Sequence, residues 1–123
     1  MKKLTLISCT LGLLISQAVS ANDAPLQGTL KKIADSGRIT LGYRDASVPF
    51  SYVGDNSGKP MGYSVDLANK IVENVQKKLG DKPLNIKYNL VTSQTRIPLV
   101  QNGTVDLECG STGVTAERQK QVA

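Results

Sequence analysis

Between Ser64 and Leu79 the chain carries an apolar stripe at helical spacing, made of Val65, Leu67, Ala68, Ile71, Val72, Val75 and Leu79. Such a stripe must be covered, and covering it stabilises by roughly 1.5–3 kcal/mol per large side chain. Asp66 in the first turn and Lys77 and Lys78 in the last suit the helix dipole. Ser64 stands where an N-cap is needed, and Gly80 ends the helix. A functional role for Asp66 is the alternative to this dipole role. The flanking sequence tells what the stripe packs on. Arg38 to Tyr43 reads as a strand with Ile39, Leu41 and Tyr43 on one side. Leu84 to Val91 is a second, where Leu84, Ile86, Tyr88 and Leu90 alternate with Asn85, Lys87 and Asn89. In a third, 104–109, Val105, Leu107 and Cys109 alternate with Asp106 and Glu108.

Shorter helices fall between these strands. Thr29 to Ser36 places Leu30, Ile33 and Ala34 on one face, with Gly37 after its end. A second spans 93–101, and another begins near Thr115. Asp45 to Phe50 reads as a loop, Ser51 to Val53 as a short strand, and Gly54 to Pro60 as a polar turn. The alternation predicts an α/β fold with a parallel-rich open sheet. Within it, 84–91, 93–101 and 104–109 form a βαβ unit with a right-handed crossover.

Residues 1–21 read as an export signal. Lys2 and Lys3 precede an apolar run from Leu4 to Ile15, and Ala18-Val19-Ser20 offers small residues for cleavage after Ser20 or Ala21. A membrane anchor is the competing reading, but the run is short for a span of roughly 20 residues. Residues 22–28 form a flexible leader, and 29–123 form one partial domain of about 100 residues. The chain stops barely into its last helix, which predicts the amino-terminal part of a larger protein.

Composition excludes several functions. With no histidine and no acidic cluster, nothing points to a metal site. The 15 Lys and Arg face 10 Asp and Glu. Setting aside Lys2 and Lys3 leaves a net +3, with the lysines dispersed, so no nucleic-acid footprint emerges. The remaining cysteine, Cys109, is either a small apolar strand residue or half of a disulfide to a segment outside this chain.

Chemistry concentrates between Thr92 and Arg118. Ser93 and Arg96 open the 93–101 helix. Ser111 and Thr112 follow the third strand, and Arg118 lies in the first turn of the last helix. Ligands of open α/β sheets bind beyond the carboxyl ends of the strands, where helix N-termini offer free N–H groups to anions. Arg44 stands at the carboxyl end of the first strand. The pattern suits a carboxylate or phosphate. Each residue also has a structural reading: Arg44 and Arg118 as surface ion pairs, Ser93 as an N-cap, Arg96 as a partner of Asp106 or Glu108.

The stretches Arg44-Asp45-Ala46-Ser47-Val48-Pro49-Phe50-Ser51-Tyr52, Gly62-Tyr63-Ser64-Val65-Asp66, Thr92-Ser93-Gln94-Thr95-Arg96-Ile97-Pro98-Leu99, Asn102-Gly103-Thr104-Val105-Asp106 and Glu117-Arg118-Gln119-Lys120 resemble the extracytoplasmic solute-binding proteins of amino-acid ABC transporters. Arg44 to Ser51 and Glu108-Cys109-Gly110-Ser111-Thr112 resemble the dicarboxylate-binding branch. The resemblance implies two α/β lobes joined by a hinge, of which this chain is part of lobe one. It further implies a monomeric periplasmic protein, without cofactor, that binds glutamate or aspartate and delivers it to a membrane permease. Arg118 would grip the α-carboxylate, Ser111 and its carbonyl the α-ammonium, and Arg44, Ser93 and Arg96 the side-chain carboxylate. Relatives often carry threonine where Gly113 stands, so either its N–H, Thr112 or Thr115 would substitute, or affinity would be reduced. This fragment alone is expected to bind weakly or not at all. Two alternatives share the fold: an enzyme of dehydratase or cell-wall lytic type, and a ligand-sensing ectodomain.

Overall fold

The computed structural model describes residues 24–54 and 57–122. The expected export signal and its cleavage position lie outside these residues. The elements run α1 (Gly28–Ser36), β1 (Arg38–Tyr43), β2 (Ala46–Ser47), β3 (Ser51–Val53), β4 (Pro60–Met61), α2 (Tyr63–Lys78), β5 (Asn85–Leu90), α3 (Arg96–Gln101), β6 (Leu107–Glu108) and α4 (Ala116–Gln119).

β1 is the centre of a parallel sheet ordered β5-β1-β6. It pairs with β5 from Arg38↔Asn85 to Tyr43↔Leu90, and with β6 at Leu41↔Leu107 and Gly42↔Glu108. The α/β class and parallel sheet agree with the sequence. β5, α3 and β6 follow one another as a βαβ unit, and β5 and β6 are not neighbours, so the β5–α3–β6 connection straddles β1. β6 is also shorter than 104–109. Asp106 extends its edge instead: its N–H donates to the Thr40 carbonyl (2.9 Å), and its carboxylate accepts the Thr40 N–H (2.8 Å). The same carboxylate, 2% exposed, pairs with Lys32 of α1 at 2.7 Å.

A second, antiparallel sheet, β2-β3-β4, replaces the expected loop at 45–50 and the end of the polar turn at Pro60. Its strands are too short to show a period.

Ile33, Ile39, Leu41, Ala68 and Val72 form the core, with Val75, Leu79, Leu84, Leu107 and Cys109 packed against it. Burial covers less of the α2 stripe than its periodicity implies, since Leu67 and Ile71 are 45% and 41% exposed. α1 ends as expected, with Gly37 at φ 63° donating its N–H to the Ile33 carbonyl. α2 does not begin as expected. Its N-cap is Gly62, and Ser64 lies inside the helix, buried, with its hydroxyl donating to the Gly110 carbonyl at 2.9 Å. The expected cap fails because the Pro49 and Phe50 carbonyls already accept the N–H groups of Tyr63 and Ser64.

Candidate functional site

The three parallel strands end on one side of the sheet, and every candidate residue follows one of those ends. Arg44 succeeds β1, Ser93 and Arg96 succeed β5, and Ser111, Thr112 and Arg118 succeed β6.

Arg44 is held by the β2–β3 hairpin. Its N–H donates to the Ser51 hydroxyl (2.9 Å), and that hydroxyl donates back to the Arg44 carbonyl (3.1 Å). With its backbone fixed, the half-buried side chain donates through Nη1 to Ser93 Oγ at 3.0 Å. Ser93 is therefore not the cap of α3. That position belongs to Thr95, which has no side-chain cap bond to the helix. The turn is shaped instead by Thr92 and Thr95, each N–H donating to the other's hydroxyl.

Arg96 opens α3 and is only 7% exposed. Its Nη1 donates to Thr112 Oγ1 at 2.7 Å, and the Thr112 hydroxyl donates to Glu108 Oε2 at 2.6 Å. The alternatives of Asp106 or Glu108 as a direct partner give way to this relay through Thr112. Asp106 is committed to Lys32 and Thr40.

α4 begins at Thr115, whose hydroxyl accepts the Arg118 N–H at 3.1 Å. One N–H of that helix end is thus already occupied. The Arg118 guanidinium donates to the Gly113 carbonyl at 2.7 Å. Arg118, Thr112, Gly113 and Ile97 line a cavity of ≈ 200 Å³. Ser111 is exposed and makes no side-chain hydrogen bond among the described residues.

The structure thus joins Arg44 to Ser93, Arg96 to Thr112, and Thr112 to Arg118 across the cavity wall. It records no bond from the Arg44–Ser93 pair to Arg118. Among the described residues none of the three arginines has a carboxylate ion-pair partner; the pairs that form are Lys31–Asp35, Lys32–Asp106 and Lys70–Glu73. Nε of both Arg44 and Arg96 is buried without a partner, and so is Glu108 Oε1. The arrangement is cationic, with undirected N–H capacity at the strand ends, which is chemistry for an anion.

Two residues escape the sequence reading of the site, Ser64 read as a cap and Ser51 as part of a short strand. Glu108 is read as a strand residue and a direct partner for Arg96, and its place behind Thr112 is missed. For Glu108 the available signal was glycine on both sides in space. A Cβ on Gly42 would stand 3.2 Å from Glu108 Cγ, and one on Gly110 only 2.5 Å from Oε1. Gly110 is visible in sequence two residues on, whereas Gly42 is brought there by pairing.

Known proteins resemble this chain in sequence and in fold. The chain is 64% identical over 109 residues to the L-glutamate/L-aspartate-binding protein of Pseudomonas aeruginosa, covering 89% of this chain and 35% of that protein. It is 53% identical over 116 residues to the glutamate/aspartate import solute-binding protein of Escherichia coli, covering 92% of this chain and 38% of that one. The chain therefore spans about a third of the length of these relatives. Among solved structures, an arginine-bound point mutant of domain 1 of TmArgBP from T. maritima superposes with a TM-score of 0.60 at 27% identity. The match covers 74% of this chain and 64% of that one. Residues 39–123 match the family described as bacterial extracellular solute-binding proteins, family 3, and the chain belongs to that family.

Proposed function

We propose that this chain supplies part of the first lobe of a two-lobe protein that captures glutamate or aspartate in the periplasm. The complete protein would deliver the amino acid, as a monomer, to the membrane permease of an ABC importer. The observation that carries the reading is the set of three arginines, none ion-paired among the described residues, at the carboxyl ends of one parallel sheet. A dicarboxylic amino acid carries two carboxylates and one ammonium, and its net negative charge calls for more than one cationic contact. In this reading Arg118 takes the α-carboxylate beside Gly113, whose carbonyl already orients the guanidinium. Ser111 takes the α-ammonium, and Arg44, Ser93 and Arg96 take the side-chain carboxylate. Thr112 positions Arg96, and because its one hydroxyl proton goes to Glu108, the Gly113 N–H or Thr115 fills the gap left by glycine at 113. The names of the two curated relatives support the same ligand class. Hinge closure around the amino acid would then shift the protein from open to closed forms.

Calorimetric titration of the complete protein with L-glutamate, L-aspartate, L-glutamine and L-asparagine tests this, repeated with Arg96→Ala. The acids are expected to bind and the amides to bind weakly. Loss of a charge-assisted contact lowers acid affinity by about tenfold to a hundredfold. Equal binding of acids and amides by the wild type would leave only general amino-acid recognition through Arg118.

A further inference from the structure

We propose that Glu108 is a positioning residue. Through the Thr112 hydroxyl it aims the Arg96 guanidinium, and so sets the preference for a side-chain carboxylate over an amide. The proposal rests on the acidic-amino-acid reading above.

A carboxylate only accepts hydrogen bonds and a guanidinium only donates. Between them the Thr112 hydroxyl has one possible polarity: it donates to Glu108 Oε2 (2.6 Å) and accepts from Arg96 Nη1 (2.7 Å). Nothing else among the described residues bonds the Arg96 guanidinium, and its Nε is buried without a partner. Thr112 is therefore its one recorded side-chain anchor there, and Glu108 fixes Thr112. The space for Glu108 is built by absent side chains, with its Cγ packed over Gly42 and its Oε1 over Gly110. The Gly42↔Glu108 register and the Ser64 bond to the Gly110 carbonyl hold that space in place. Oε1 is buried and Oε2 accepts the Thr112 hydroxyl, so Glu108 acts through its neighbour.

Charge alone predicts the opposite sign. A carboxylate near the site repels an acidic ligand, so deleting it would tighten acid binding if electrostatics were its only role. The test uses the complete protein with Glu108→Met, which removes both acceptors, and Glu108→Gln, which keeps one for the Thr112 hydroxyl. Glutamate, aspartate and their amides are titrated into each. Glu108→Met is expected to weaken acid binding about tenfold and amide binding less than about twofold. Glu108→Gln is expected to stay within about threefold of wild type. Adding Glu108→Met to Thr112→Val should cost nothing beyond Thr112→Val alone.

Tighter acid binding in both variants assigns Glu108 a charge role only and overturns the proposal. Equal losses for acids and amides, an additive double variant, or unchanged discrimination also overturn it. A wild type that binds neither acid overturns the function reading, and this proposal with it. Thermal unfolding checks each variant. Should Glu108→Met not fold, Thr112→Val against Thr112→Ser asks the same question, with only the serine variant expected to keep discrimination.

Discussion

Cys109 shows how one residue inherits its chemistry from its neighbours. The thiol is packed against the core beside Glu108, and burial first, then the carboxylate's charge, raise its pKa above the ordinary 9.0. An unfolded thiol loses its proton near 9.0, while the native one keeps it to higher pH. Between those two points the native state binds more protons, so stability is intact below the unfolded pKa and falls as pH rises through the window. Urea midpoints from pH 7 to 10 should show this decline, and Cys109→Ala should flatten it relative to wild type. An identical slope in the two proteins would remove the thiol as its source. At this scale the sequence named Arg44, Ser93, Arg96, Ser111, Thr112 and Arg118, all of which fall at the strand ends. It offered Glu108 only as a direct partner of Arg96, because alternation in 104–109 reports which face a residue takes, not what is cleared away around it.

Elements were legible where a period or a stop signal exists. β1 and β3 have the bounds read from sequence, and α1, α2 and β5 lie within a residue or so of theirs. The β2-β3-β4 sheet was not legible, since two-residue strands carry no alternation and are specified by partners. The start of α2 was misread for a related reason. Gly62 sits at φ 118°, and a Cβ there would lie 2.6 Å and 2.7 Å from the Phe50 and Pro49 carbonyl oxygens. Those carbonyls take the helix's first N–H groups, so the preceding loop, rather than Ser64, caps the helix. Gly62→Ala should therefore destabilise the protein by about 2 kcal/mol or more, combining left-handed strain with a backbone clash. Chemical denaturation measures this. A loss no larger than that of an ordinary surface substitution would show that the hairpin yields easily.

For the molecule as a whole, the apolar surface is uneven. Ile86, Tyr88 and Leu90 on the edge strand β5 are exposed, as are Leu67 and Ile71 on α2. An unpaired apolar edge is a liability for a sheet standing alone. Residues 24–122 produced by themselves should therefore unfold at lower urea than the complete protein and should bind glutamate weakly or not at all. Matching midpoints together with millimolar or tighter binding would refute this. The sheet order β5-β1-β6 was hidden in the sequence, because local patterns report strands but not which ones become neighbours. That order also governs timing. β1 lies amino-terminal to both strands that flank it, so a chain emerging amino end first presents its central strand with both edges bare. Arg38 must wait for Asn85, and Gly42 for Glu108. Until both arrive, the sheet is open to the wrong neighbours. The candidate site residues, spread over the ends of all three strands, come together only when the last is seated. On the proposed function, recognition would then be the final property the lobe acquires, and retention of ligand a test that assembly has finished.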